Sequence, residues 1–229
     1  MIRAFVFDFD GLILDTETLM FKATNEVYKE YKSSFPISIW GRLAGTHEDE
    51  FDLYVHFIEQ TGASLTKEEF YEKRDALFNE MIKDEEVLPG VRELLEAGKE
   101  AGLKIALATS SGDQWAKKHL ERLGLLAYFD CIVEANDVTE VKPNPELFLK
   151  ACEGVGVKPS EAIAFEDSYH GAVAAKRAGL YCVVIPNEVT RELTFEDDVD
   201  LKLLSLADTN FKLLLDTLQI SLNDESKGD

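Results

Sequence analysis

The stretch Ala4-Phe5-Val6-Phe7-Asp8-Phe9-Asp10-Gly11 decides how the rest of the chain is read. Its first four residues are apolar, two of them aromatic, and a glycine turn signal follows. That is the pattern of a short, fully buried strand. Strand side chains alternate faces, so Asp8 and Asp10 point the same way while the strand lasts. At a rise of ~3.3 Å per residue they stand ~6.5 Å apart. Two carboxylates at that spacing repel by ~2.5 kcal/mol at an effective dielectric of ~20. A buried strand gains nothing from such a pair. Either the pair lies in water at a strand end, or something cationic sits between the acids. Taken alone, the stretch fits both readings equally well.

Outward from it, residues 18–82 read as helical and charged. Leu19, Ala23, Val27 and Tyr31 recur at helical spacing, as do Phe51, Tyr54, Val55 and Ile58, and then Phe70, Arg74, Leu77, Phe78, Met81 and Ile82. Only Phe35 to Trp40 is ambiguous. After the charged link Lys83-Asp84-Glu85-Glu86 and the turn Leu88-Pro89-Gly90 the texture changes. Apolar runs at 105–108, 131–133, 162–165 and 182–185 read as strands, with 201–207 a weaker one. Helical stretches at 91–101, 114–123, 145–155 and 171–178 alternate with them. Asn144 is expected to cap the third of these, with Pro145 at its first position and Gly179 closing the fourth. Continuous apolar strands alternating with helices indicate a parallel sheet covered on both faces.

Bulk properties narrow the function. A chain of 229 residues with 45% hydrophobic content buries a real core. Its formal net charge of -20 disfavours nucleic acid and anionic membrane partners. Cys131, Cys152 and Cys182 are scattered inside apolar runs without CxxC spacing, as core thiols in a reducing compartment would be. No apolar stretch approaches the ~18 residues of a membrane span, and Asp8 and Asp10 break the N-terminal run before it can serve as a signal peptide. The cytoplasm is the expected location, with no obligate protein partner evident.

Chemistry gathers after the strands. The first ends in Asp8 and Asp10, the next in Thr109-Ser110-Ser111-Gly112. The third is followed by Asn136, Asp137 and Lys142, the fourth by Glu166-Asp167-Ser168. In a parallel sheet these carboxyl ends share one edge, where ligands bind. Up to four carboxylates crowd that edge, and without a cation some would have to stay protonated at neutral pH; hard oxygen donors with an open face suit Mg²⁺ beside a phosphate. Glu166-Asp167 on their own fit an acidic turn at a helix N-terminus, but beside Asp8 and Asp10 that account fails. Lys142 precedes Pro143, which restricts its backbone and fixes its direction, and a lysine there can act as a point charge on phosphate. Thr109 and Ser110 supply hydroxyl and backbone N–H donors to a phosphate cradle.

Asp8-Phe9-Asp10-Gly11 with Asp15-Thr16-Glu17, then Thr109-Ser110, Lys142-Pro143, and Glu166-Asp167-Ser168 with Gly171, resemble the haloacid dehalogenase-like hydrolases. The likeness is to the phosphatase and β-phosphoglucomutase branch and spans the whole chain. It implies an α/β fold, a Rossmann-like doubly wound parallel sheet (residues 1–15 and 84–220) with a small helical cap inserted at 16–83 and a loose tail at 221–229. It implies Asp8 as nucleophile and Asp10 as general acid and base. Thr109 and Lys142 would hold the phosphoryl oxygens, with Ser110 beside them. Mg²⁺ would be held by Asp8, the Asp10 carbonyl and Asp167, with Glu166 close by. Asp10 argues against dehalogenases, which lack a carboxylate there. β-Phosphoglucomutases carry a histidine where this chain has Met20, and a lysine before the cap glycine where it has Ala44. Arg42, Gly45, Thr46 and His47 are candidate cap contacts with substrate. The expected activity is hydrolysis of small phosphorylated metabolites, with a sugar-phosphate mutase as the alternative and a phospho-receiver module as a more distant one.

Overall fold

A computed structural model describes residues 1–45, 51–195 and 199–218. Six parallel strands form one sheet: β1 (Ala4–Phe7), β2 (Lys104–Ala108), β3 (Cys131–Val133), β4 (Ala162–Glu166), β5 (Tyr181–Val184) and β6 (Leu201–Lys202), in the order β3-β2-β1-β4-β5-β6. The order reverses at β1, the place where open α/β sheets leave a crevice beyond their carboxyl ends.

Alternation sorts the strand residues by size. Phe5, Phe7, Ile105, Leu107, Ile163 and Phe165 project to one face, where they meet α5 (Val91–Glu100), α6 (Trp115–Arg122) and α9 (Phe211–Thr217). Phe7 and Phe165, opposite one another in the β1–β4 register, stack with centroids 4.7 Å apart. The other face is built from Ala4, Val6, Ala106, Ala108, Ala162 and Ala164, against α7 (Glu146–Gly154) and α8 (Tyr169–Ala178). The alanines of this face meet the small buried residues of α8 (Gly171, Ala172, Ala174, Ala175), while α7 fills its share of the space with Leu147 and Phe148. The sheet is thus doubly wound, as expected.

Between β1 and α5 run α1 (Thr16–Glu30), α2 (Ile37–Leu43), α3 (Leu53–Thr61) and α4 (Lys67–Met81). Asp15 starts α1 by accepting the Thr18 N–H at 3.2 Å. Thr66 and Glu69 form a capping box at the start of α4. The four helices share a third apolar cluster of Val27, Tyr28, Phe35, Trp40, Leu53, Phe57 and Phe70, joined by Val189 from the loop after β5.

Several local expectations are corrected. The ambiguous stretch at 35–40 enters α2, and the third helix buries Leu53 and Phe57 while Val55 is exposed. Of the expected stripe, Phe51, Tyr54 and Ile58 do pack against the same cluster, and only Val55 turns outward. The run at 201–207 is a two-residue strand followed by a 3₁₀ turn at Leu206–Asp208. Helix α8 begins at Tyr169, two residues earlier than the periodicity predicts, because Ser168 caps it by accepting the Gly171 N–H at 3.1 Å. Pro145 is the cap position of α7 itself, and Asn144 supports that end by accepting from the Glu146 N–H at 3.0 Å. All three cysteines are free; Cys152 and Cys182 are buried and Cys131 is half-buried. Among the described residues no helix is long and apolar enough to cross a membrane.

Candidate active site

Asp8 extends the β1 ladder, its N–H donating to the Phe165 carbonyl at 3.0 Å, so its carboxyl emerges at the carboxyl edge of the sheet. Glu166 ends β4 next door, and Asp167 follows it. Asp8, Glu166 and Asp167 are 4%, 0% and 1% exposed, and one carboxylate oxygen of each lies within 4.8 Å of the others. Lys142, 1% exposed, reaches into this group from the loop after β3. Its ammonium is 2.6 Å from Glu166 Oε1, closer still to Asp8 Oδ1, and 5.2 Å from the Phe148 ring centroid.

Burial dominates the electrostatics. It pushes the Asp8 carboxyl up to about 8; Lys142 pulls it down, while Glu166 and Asp10 add to the rise. Asp167 is raised well above the usual carboxylate range by burial first, then by Asp8 and Glu166. Burial works against the Lys142 ammonium, but Asp8 and Glu166 outweigh it and hold its pKa above the ordinary value. One buried cation among three buried acids leaves a deficit of positive charge.

Asp167 shows where that deficit is felt. Its Oδ2 accepts from Asn187 Nδ2 at 2.6 Å and its carbonyl accepts from Thr190 Oγ1 at 2.8 Å. Its Oδ1 is buried with no hydrogen-bond partner. An orphaned carboxylate oxygen beside two more carboxylates is the donor set of a hard divalent cation, so the residues present fit such an ion. Two glycines leave room for these carboxyls. Gly11 has φ +81°, and a Cβ there would overlap the Asp167 carboxyl; a Cβ on Gly171 would overlap that of Glu166.

Asp10 stands apart from this trio. It is half-buried, and both its oxygens accept hydrogen bonds: Oδ2 from Ser111 Oγ at 2.6 Å and Thr109 Oγ1 at 3.4 Å, Oδ1 from Trp115 Nε1 at 3.0 Å. Thr109 is 1% exposed at the end of β2. Ser110, expected in the phosphate cradle, donates its hydroxyl to the Gly45 carbonyl at 3.1 Å and so ties the sheet edge to the end of α2. A Cβ on Gly45, at φ +84°, would overlap Ser168 Oγ. Arg42 is exposed, and its carbonyl lies 3.1 Å from His170 Nε2. Thr46 and His47 lie outside the described residues. Glu17, half-buried, accepts from Trp40 Nε1 at 3.1 Å. Burial and then Asp10 push its carboxyl up to about 7.

Sequence reasoning thus brought Asp8, Asp10, Thr109, Lys142, Glu166 and Asp167 to one edge, and they meet there. It missed Ser111, Trp115, Asn187 and Thr190. Only Ser111 carried a local signal, as the third hydroxyl in a row after β2.

The chain resembles known proteins along most of its length. The family model described as haloacid dehalogenase-like hydrolase matches residues 5–185. The chain is 47% identical over 218 residues to YhcW of Bacillus subtilis (strain 168), a protein named provisionally as a phosphatase, covering 95% of this chain and 98% of that one. It is 36% identical over 180 residues to a phosphorylated carbohydrates phosphatase of Thermotoga maritima, covering 78% and 82%. The crystal structure of a β-phosphoglucomutase from Clostridium difficile superposes with a TM-score of 0.74 at 26% identity, covering 96% of this chain and 98% of that one. With the strand order, the acidic edge and the match along most of its length in agreement, the chain belongs to the haloacid dehalogenase-like hydrolases.

Proposed function

We propose that the chain is a Mg²⁺-dependent phosphatase of small phosphorylated metabolites, acting through an aspartyl phosphate on Asp8. The observation that carries this reading is the buried set of Asp8, Glu166, Asp167 and Lys142, with Asp167 Oδ1 left without a partner. Asp8, Asp167 and the Asp10 carbonyl, with Glu166 alongside, would hold the ion. When bound, it supplies charge neutralisation for the phosphoryl oxygens and for the carboxylates themselves.

The chain's own residues then divide the work. An Asp8 carboxylate oxygen attacks phosphorus, and the bond to the ester oxygen breaks. Asp10 gives its proton to that leaving oxygen, then takes one from the water that opens the acyl phosphate. Lys142 and Thr109 hold the transferred phosphoryl oxygens, and Lys142 keeps Asp8 oriented through their ion pair. Residues 16–83 form the cap over a core of 1–15 and 84–220. The contact of Ser110 with Gly45 supports a closed cap. The relative named for phosphorylated carbohydrates favours a sugar or polyol phosphate as substrate.

The superposition on a β-phosphoglucomutase favours phosphoryl transfer between sugar oxygens as a second reading. Against it, position 20 is a methionine packed beside the apolar clusters. Replacing Asp8 by Asn is expected to abolish Mg²⁺-dependent phosphate release from p-nitrophenyl phosphate. Undiminished turnover in that variant would refute the nucleophile. Accumulation of glucose 6-phosphate from β-glucose 1-phosphate and a bisphosphate primer would favour the mutase.

A further inference from the structure

Asp10 is gripped from two directions by donors of different kinds. Ser111 Oγ and Thr109 Oγ1, both on the loop after β2, meet Oδ2 at 2.6 and 3.4 Å. Hydroxyls can donate or accept, so they tolerate a carboxylate or a carboxylic acid at Oδ2. Trp115 Nε1 meets Oδ1 at 3.0 Å, and an indole N–H can only donate. Oδ1 is therefore kept as an acceptor, and a proton on Asp10 is directed to Oδ2. That oxygen lies beside Thr109, the residue read above as holding the phosphoryl group.

Trp115 is itself held. It is half-buried at the first turn of α6, its ring 4.2 Å from that of the buried His119 and 5.9 Å from Phe78 near the end of α4. An indole N–H turned inward needs an acceptor, and this one has taken a carboxylate that the chemistry needs free to exchange a proton.

We propose that Trp115 is a positioning residue for Asp10: its indole N–H occupies Oδ1 and so delivers the Asp10 proton from Oδ2 to the leaving oxygen. The inference rests on the reading of Asp10 as general acid. In the step concerned, the new bond joins an Asp8 oxygen to phosphorus. The phosphorus–ester oxygen bond breaks with its electron pair passing to the ester oxygen, and the Oδ2 proton goes to that same oxygen.

The test compares two phosphate esters in Trp115→Phe, which keeps the ring and loses the donor. An alkyl phosphate leaves as a strongly basic alkoxide and needs the proton; p-nitrophenyl phosphate leaves as a weakly basic phenolate and does not. The quantity read is kcat/KM, which reports formation of the phosphoenzyme and not its hydrolysis. With one charge-assisted hydrogen bond lost, kcat/KM is expected to fall about tenfold or more for the alkyl ester and less than about twofold for the aryl ester. A loss of folded enzyme lowers both alike, so the ratio of the two survives partial misfolding. Equal losses, or none, in Trp115→Phe would overturn the proposal. Asp10→Asn serves as the reference. A larger selective loss for the alkyl ester there supports the acid role, whereas equal losses in Asp10→Asn would overturn that role itself.

Discussion

Replacing Lys142 by Met removes the cation that Asp8 and Glu166 share, while keeping an unbranched side chain against Phe148. Breaking a buried pair from one side leaves uncompensated charge and costs about 3–5 kcal/mol. For a chain of this size each kcal/mol lowers the melting temperature by about 2–4 °C, so a drop of roughly 6–20 °C is expected without divalent ions. The loss has a definite pH dependence. Burial pushes the Asp8 carboxyl of metal-free enzyme from its ordinary 3.8 up to about 8, so across that window the folded form keeps a proton the unfolded form has released. Stability therefore falls as pH rises from about 4 to 8. Without Lys142 the Asp8 value moves higher and the fall continues beyond pH 8. The deficit relative to wild type should be smallest near pH 6 and reach its full size near pH 9. A saturating divalent ion contributes about 2.7 kcal/mol at one hundred times its dissociation constant. Its effect should be larger in the variant, where no ammonium competes for the carboxylates. Urea denaturation in EDTA and in MgCl₂, at pH 6 and pH 9, reads all four cells. A deficit equal at both pH values, or equal shifts with Mg²⁺ in the two proteins, would refute the charge argument.

Other substitutions probe the same edge. Glu17 is pushed up to about 7 by burial and Asp10, so its contribution to stability is lost as pH rises from about 4.5 to 7. Glu17→Gln keeps an acceptor for Trp40 and never ionises. Because the side chain is half-buried, a gain on the order of 1 kcal/mol is expected at pH 8, and none at pH 4, in metal-free denaturation curves. Gly171→Ala drives a methyl into the Glu166 carboxyl; a stability loss of about 1–3 kcal/mol is expected. Mg²⁺ affinity by calorimetry should weaken at least about tenfold in the same variant.

The parts of this structure that were legible in sequence are those whose signal is local. An apolar run ending in acids or hydroxyls marks a strand and its functional end together, and Asp8, Glu166 and Asp167 do crowd at that edge. Residues that act through distant partners left no such trace. Trp115 looks like an apolar helix residue until the fold brings it to Asp10, 105 positions earlier. Asn187 sits in an ordinary polar turn until its amide reaches Asp167. Periodicity found the packed side of the third helix through Phe51, Tyr54 and Ile58 but took in the exposed Val55 and left out Leu53 and Phe57. With aromatic and aliphatic residues at 54, 55, 57 and 58, nearly every rotation looks amphipathic, and only packing against Tyr28 and Phe70 selects Phe57. The strand at 201–202 was overextended because hydrophobic residues at 203, 204 and 206 continue the run, though Leu204 is 87% exposed.

The central position of β1 sets an order of events during synthesis. Ala4 pairs with Lys104 on one side and Ala162 on the other, so the first strand to leave the ribosome must wait for both neighbours. At roughly 5–20 residues per second, that leaves Phe5, Val6 and Phe7 without their second partner strand for roughly 8–30 s. The helices of residues 16–83 are made in that interval, and being local in their pairing they can form while the nascent sheet is still a single strand.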